Sequence, residues 1–430
     1  MKNYLILFGI VATTFFVACN KNDDSVSPEI ELQNEPPLAF DLIGVTDGAA
    51  DVDVLPAFSW EASIDPNGDA VNYTFSLGET INSIKPYATD IAATQFAITE
   101  RLNLKSDYYW KVTAEDNKSG ITESAINQFT TRGLNLPEDP ILWHAPFSKR
   151  SGHTSVVFQN KIWVIGGYDG ESYKNDIWYS EDGETWTAST TNAGFAPRSG
   201  HTSVVFDDKL WVIAGRLGAN RYNDVWYTSD GSTWIEATES ADFPSTTAHT
   251  SLVFDNKIWV IGGGLEGENL TVSNYAWYST DGVEWTKAPE LPFKRYAHTS
   301  VVFDNKMWVI AGNDEVTSGG TTARGDVWHS EDGMTWTKTS SSNSYRLRSL
   351  HASTVFDNKI YNVGGFFHGC QNDIYCTSAE INWQRVEGEK AFHGRAGHSI
   401  VVFDNKLWII GGDTRINNSH QYLNDVWALD

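Results

Sequence analysis

An arginine precedes a histidine by three residues at five places, in the pairs Arg150/His153, Arg198/His201, Arg295/His298, Arg348/His351 and Arg395/His398. A further histidine, His249, has Thr246 at the arginine position. Recurring imidazoles of this kind could ligate a metal, and the guanidiniums could close into a cationic ring that grips a carboxylate. A scaffold reading competes with both. Groups repeated with the chain's own period are expected as structural histidines. In the third copy an Asp is lost with the Arg, since Tyr275 stands where other copies have Asp176 or Asp224. That joint loss is what an Arg–Asp pair inside one unit would produce. A second set of residues lies where the repeat breaks: Tyr168, Arg216, Arg221, Tyr222, Arg324, Phe366, Phe367, His368, Arg415, His420 and Tyr422, with Arg346 and His393 in neighbouring segments. Aromatic and arginine side chains anchor recognition surfaces, and aromatic faces stack on sugar rings. These are the candidate ligand-binding residues, for a glycan or protein ligand. No nucleophile or metal-ligand constellation is legible, so no catalytic residue, metal or cofactor is assigned.

The elements that must position these residues are copies of one unit. HTSVVFQNKIWVIGG, starting at His153, returns from His201, His249 and His298 and, more loosely, from His351 and His398. A period of roughly 50 residues repeated in this way marks a propeller or solenoid. Trp163 and Ile165 fall on one face of a strand and Ile162 and Val164 on the other. A strand apolar on both faces must be covered on both, as when sheets stack around an axis. Gln-Asn or Asp-Asn before the Lys is hairpin chemistry. An Asp-x-Trp strand and a Ser-x-Asp-Gly-x-Thr-Trp turn follow in most copies, giving four strands per unit. The last copy stops after Trp427 without its fourth strand, while residues 141–146 resemble the fourth-strand segment 285–289 of the third copy. The N-terminal segment is therefore expected to complete the last blade and close a ring of six. The Phe-to-Trp interval within the first hairpin is constant in all copies, whereas the second-to-third strand interval varies. Scaffold keeps its lengths and binding loops vary, so any site belongs at the variable end.

The glycine doublet followed by a distant Trp resembles the kelch repeat over residues 141–430. The resemblance implies an all-β, six-bladed kelch-type β-propeller. Kelch relatives include galactose oxidase, whose copper site needs a Cys crosslinked to Tyr with Tyr and His ligands; that constellation finds no match here. The Asp-Gly turn resembles a sialidase Asp box shortened by one residue, but scattered arginines do not make a sialidase site. A six-bladed relative that is a sialic acid mutarotase implies the alternative, a sugar-converting enzyme working at the channel mouth through groups that leave little sequence trace. Residues 36–132 alternate apolar and polar with period two, with Phe58 and Trp60 early and Tyr108-Tyr109-Trp110-Lys111-Val112 late. They resemble a fibronectin type III β-sandwich preceding the propeller, joined to it by the linker 133–140. The turn Asp65-Pro66-Asn67-Gly68-Asp69 either holds calcium or is an unliganded turn. Cys370 and Cys376 are either free or, in an exported protein, a disulfide.

A net charge of −24 argues against nucleic acid as a partner. Lys2 and the apolar run 4–17 read as a signal peptide, since the run is shorter than the roughly 20 residues that span a bilayer. The run ends Phe16-Val17-Ala18-Cys19, which resembles a bacterial lipobox. The resemblance implies removal of 1–18 and lipidation of Cys19, with 19–35 as an acidic, disordered tether; ordinary secretion is the competing reading. Asp23-Asp24 resembles an acidic export signal of surface lipoproteins, although an acidic linker is also simply soluble. The expected location is the bacterial outer membrane, held by lipid at Cys19, at the cell surface or on the periplasmic side.

Overall fold

The computed structural model describes residues 33–265, 271–317, 320–339, 346–378, 382–387, 392–416 and 419–430. The leader, Cys19 and most of the tether lie outside them. The chain divides into two compact units. The first comprises the described residues up to Ala49 with Pro56–Thr99 and Asp107–Phe129; the second takes in Ala50–Leu55, Glu100–Ser106 and Thr130–Asp430. In the first unit, Asp107–Asp116 pairs with Val71–Gly78, and Ala57–Ser59 pairs with Gln95–Ala97 in a separate two-stranded sheet. Burial alternates strictly along Asp107–Asp116, as a strand with one covered face requires. Phe58 of the small sheet packs on Phe75 and Trp110 of the large one, with ring centroids 4.7 Å apart in both cases. Asp65 Oδ1 accepts the amides of Asn67 and Asp69, the usual side-chain-to-backbone bonding of such a turn.

The second unit is the propeller. Its first blade runs Thr154–Phe158, Lys161–Tyr168, Tyr173–Ser180 and Trp186–Thr190, with neighbouring strands antiparallel. The strands beginning at Thr202, Thr250, Thr299, Ala352 and Ser399 open the other five blades. Each first hairpin turns on two residues with positive φ, such as Gln159 (49°) and Asn160 (55°) or Asp404 (48°) and Asn405 (55°). That conformation is the type I′ turn, which Asn and Asp tolerate and which matches strand twist. Ile162, Trp163, Val164 and Ile165 are all buried. Trp163 and Ile165 pack with Leu210 and Val212 of the second blade, while Ile162 and Val164 pack with Trp408 and Ile410 of the sixth. The both-faced apolar strand thus has a blade on either side.

The glycine doublet has two separate tasks. Its first residue is a bulge: register shifts between Ile165 and Gly167, and again between Ile213 and Gly215. Its second residue leaves no room for a side chain, because a Cβ on Gly167 would sit 2.8 Å from that of His153. Around the axis, the residue before each histidine donates its amide to its counterpart in the preceding blade. Gly152, Gly200, Ala248, Ala297, Leu350 and Gly397 close a circle of six hydrogen bonds of 2.7 to 2.9 Å. All six have positive φ.

The sixth blade contributes three strands. Leu142 completes it through a bridge to Val426, with amide–carbonyl bonds of 3.2 and 2.8 Å. The closing contact is a short bridge rather than a full strand. Asn424 reinforces it, its Nδ2 donating to the carbonyls of Ala145 at 2.8 Å and Phe147 at 3.1 Å. Asn424→Ala should therefore cost about 1–3 kcal/mol, since two carbonyls lose their donor. Urea unfolding checks this, and unchanged stability would mean that the segment 141–147 does not close the ring.

Candidate ligand-binding face

The repeated arginines are scaffold. Arg150 forks onto Asp176 with two bonds of 2.9 Å and also donates to the Gly166 carbonyl at 2.9 Å. Arg198 does the same with Asp224 and Ala214, Arg348 with Asp373 and Gly364, and Arg395 with Asp425 and Gly411. The carbonyl in each case belongs to the bulged residue, which has left the strand ladder. Asp176, Asp224 and Asp425 also take a Trp indole N–H, from Trp178, Trp226 and Trp427, as Asp326 of the fourth blade does from Trp328, whereas Asp373 has Tyr375 at the Trp position. In the third blade, where Thr246 and Tyr275 replace Arg and Asp, Trp277 Nε1 is buried without a partner. There Thr246–Thr247 pairs instead with Tyr222 and with Gly264–Leu265, extending the second blade's sheet. Burial pushes the Asp176 carboxyl up, but the hydrogen bonds and charge of Arg150 outweigh it and hold the group below the usual carboxylate range.

The histidines are scaffold as well. Nε2 of His201, His249, His298 and His351 meets the hydroxyl of Thr154, Thr202, Thr250 and Thr299 on the preceding blade at 2.9 to 3.1 Å. Ser399 serves His153 in the same way, at 2.9 Å. At the remaining junction, Ala352 and Ile400 replace the Thr and Ser found elsewhere, and His398 Nε2 is left without a partner. There the hydroxyl pair of the other junctions is replaced by an apolar pair, which removes the hydrogen bond. These residues line an axial cavity of about 260 Å³. Burial lowers His153, His249, His298 and His398 to about 3.

The variable end holds a second circle at the channel mouth. The residue after each glycine doublet bridges to the residue two before the histidine: Tyr168 to Ser151, Arg216 to Ser199, Asn313 to Tyr296, Phe366 to Ser349 and Asp413 to Ala396. In the third blade, Gly264 pairs with Thr247. One backbone position therefore carries six different residues. Several candidates converge on an arc over the fifth, sixth, first and second blades. Tyr168 meets Tyr422 edge-on at 5.7 Å and Tyr173 at 4.7 Å. Desolvation, the Asp413 charge and the neighbouring Tyr168 and Tyr173 raise the Tyr422 phenol, against the nearby Arg216 charge. Arg415 lies over the Phe366 ring at 5.1 Å and donates Nε–H to His420 Nε2 at 3.1 Å. That leaves His420 Nδ1 as the protonated nitrogen, 3.3 Å from Asp413 Oδ2, while Ser151 Oγ donates to Asp413 Oδ1 at 2.6 Å.

The other candidates have different neighbours. Phe367 and His368 pack together, with Phe367 lining a cavity of about 380 Å³ with Arg346. Arg324 pairs with Asp314 on the fourth blade. Tyr222 packs under Arg198 at 4.7 Å and so is partly structural. Arg221 lies across the hairpin from Arg216. His393 is exposed, and its carbonyl accepts from Arg395. Cys370 and Cys376 are both free. Asp413 and Asn313 were missed by reading the sequence for aromatic and basic residues. Their position immediately after the glycine doublet was the signal that could have found them.

Six such blades around a lined axis, with constant turns at one end and varied residues at the other, define a β-propeller of the kelch type. The KLHDC2/KLHL20/DRC7 Kelch-repeats domain model matches residues 138–312 and 248–430, and the chain belongs to that family of kelch-repeat domains. A solved structure described as "Structure of YjhT" is 18% identical, with a TM-score of 0.55, and covers 66% of this chain and 96% of that one. At that identity the likeness concerns the fold. No curated protein matches the chain.

The buried histidines make the propeller acid-sensitive. In the unfolded chain they protonate near about 6.5, whereas the folded imidazoles stay neutral down to about 3. Between those limits the unfolded state binds more protons, so stability is fully present above the window and is lost as pH falls through it. The paired Asp176 and Asp326, held low in the fold, add a loss that starts only near their unfolded value of about 3.9. The urea midpoint should drop clearly from about pH 7 to about pH 5. A flat midpoint would show that the histidines protonate freely in the folded state.

Proposed function

We propose that the chain is an exported, lipid-anchored binding protein whose propeller recognises a glycan through its variable end. The observation that carries this is the arc at the channel mouth, where Tyr168, Tyr422 and Arg216 are gathered on three successive blades of a rigid ring. Tyrosine supplies a flat apolar face with a polar tip at low cost in side-chain entropy, and Arg216 adds exposed donors. The first unit, read as a fibronectin type III-like spacer on an acidic tether, holds the propeller away from the membrane. A protein ligand would use the same anchors, and a glycan array beside a proteome pull-down tells the two apart.

One observation favours a second reading. His420 has a fixed tautomer between Arg415 and Asp413 beside Tyr422, and an imidazole with an oriented carboxylate is suited to proton transfer. In that case the same arc would interconvert sugar anomers.

Arg216→Ala and Tyr422→Ala should each weaken glycan binding about tenfold or more, with Arg216→Ala leaving the melting temperature unmoved. Arg198→Ala should instead cost about 3–5 kcal/mol of stability, because it strands the Asp224 carboxylate. Calorimetric titration beside thermal unfolding reads both, and binding that survives both face variants defeats the proposal. Anomer exchange that depends on His420, followed by NMR, would favour the enzyme. Anchoring has its own test: Cys19→Ser should move the protein from the membrane fraction to the soluble one. Identical fractionation of the two forms removes the lipid anchor from the reading.

A further inference from the structure

One of the six blade junctions is apolar where it borders the axial channel. The circle of residues that precede the histidines is built from Gly152, Gly200, Ala248, Ala297, Leu350 and Gly397. Five of them carry at most a methyl group. Leu350 holds the same left-handed backbone as the others, with φ at 53°. Its side chain is 43% exposed, and the residue lines the channel. A leucine there bears backbone strain that a glycine would avoid, and it shows apolar surface to water. Its surroundings differ to match. A Cβ on Gly397 would lie 2.3 Å from Ser151 Oγ, and one on Gly200 would lie 2.5 Å from Thr247 Oγ1. A side chain at this position therefore runs toward the residue two before the next histidine. Opposite Leu350 that residue is Ala396, the smallest of the six at its place. The Gly397 Cβ would also stand 3.4 Å from Asp413 Oδ1, and the fifth blade has Phe366 where the sixth has Asp413.

The strip continues down the channel at the same junction. Ala352 and Ile400 stand where every other blade has Thr or Ser, and both line the channel with Leu350. At two other junctions the equivalent hydroxyls touch, at 2.6 Å for Thr202 with Ser251 and 2.6 Å for Thr299 with Ser353. The ring repeat puts the side chains of Ala352 and Ile400 together in the same way. Leu350 is two residues from Ala352, at most roughly 7 Å toward the mouth. Three apolar replacements thus fall on one junction, and none falls on the other five. A hydroxyl pressed on this strip would be buried without a partner. His398 Nε2 lies at the junction unpartnered but has essentially no exposed surface, so a ligand hydroxyl does not reach it. An acetamido group brings an N–H and a carbonyl that need partners of their own. A methyl group on the sugar ring needs none. We propose that the channel mouth selects 6-deoxyhexoses, whose C6 methyl packs on Leu350, Ala352 and Ile400. This rests on the glycan reading of the arc and names the class of sugar that it takes.

The test uses the purified full chain, saturation-transfer NMR and two matched pairs of sugars. Methyl α-L-fucopyranoside is set against methyl α-L-galactopyranoside, and methyl α-L-rhamnopyranoside against methyl α-L-mannopyranoside. Within each pair the only difference is a methyl or a hydroxymethyl group on C5. In at least one pair the 6-deoxy member should bind about tenfold more tightly, with the strongest transfer at its C6 methyl protons. Leu350→Gly should bring that pair to equal affinity without lowering the thermal unfolding midpoint, since glycine suits the positive φ. Ala352→Thr with Ile400→Ser rebuilds the hydroxyl pair of the other junctions and should narrow the preference as well. A preference that survives either folded variant overturns the proposal. Equal affinity within both pairs, or no binding of all four sugars, overturns it while other glycans on an array keep the arc standing. Tighter binding of methyl N-acetyl-β-D-glucosaminide than of either 6-deoxy sugar also overturns the class. A blank glycan array removes the glycan reading and this inference with it.

Discussion

The carbonyl expelled from the second strand at each glycine doublet is the constraint on which the rest of the propeller depends. A bulge widens the blade near the axis, but it takes a carbonyl out of the ladder in a place water barely reaches. The buried guanidinium repairs this. It meets the freed carbonyl of Gly166, Ala214, Gly364 or Gly411 while forking onto the Asp of the third strand. In the first, second, fourth and sixth blades the Asp in turn is held by a Trp indole from its own strand, whereas the fifth has Tyr375 at that position. One defect thus calls for an Arg and an Asp, and these two recur and are lost together. The strand that follows the Arg carries the histidine, and the second glycine is bare because that histidine lies against it.

Where the module is incomplete, the consequences are local. The third blade has neither Arg nor Asp, and its indole nitrogen goes unpaired while Thr246–Thr247 enters a neighbouring sheet. The fourth blade keeps the parts, but Arg295 holds Asp326 by a single bond rather than a fork. The blades are otherwise latched to each other by a repeated contact, in which the glycine of an Asp-Gly turn sits on the Trp of the preceding blade. A Cβ on Gly183 would meet Trp408 at 2.1 Å, and one on Gly231 would meet Trp163 at 2.0 Å. Such a frame is stiff by construction, and side chains at its mouth are placed by the ring rather than by their own loops.

Legibility followed symmetry. The Arg–Asp pairing could be read from the joint loss at Thr246 and Tyr275, because both partners vary within one chain. The two-faced strand and the closing segment could be read for the same reason: each repeat serves as a control for the others. The site was less legible. Tyr168, Tyr422, Arg216 and Arg415 were singled out and do converge, but Arg324 sits on another blade with a partner of its own. Tyr222 turned out to cover a structural arginine. Asp413, which joins Ser151 to His420, and Asn313 were passed over because an acid or amide in a variable segment looks like any solvated loop residue.

The sequence by itself determined the repeat, the number of blades, the turn type of each first hairpin and the end at which variation is allowed. These are local or periodic properties, set by which residues can take positive φ, which strands are apolar on both faces, and which intervals are constant. Only the tertiary structure decided which variable residues lie together. Residues a full repeat or more apart, such as Tyr168 and Tyr422, become neighbours because the ring closes the sixth blade onto the first. It also decided that His398 carries atoms without partners, since a hydrogen bond across a blade junction depends on the residue opposite. No single repeat contains that information.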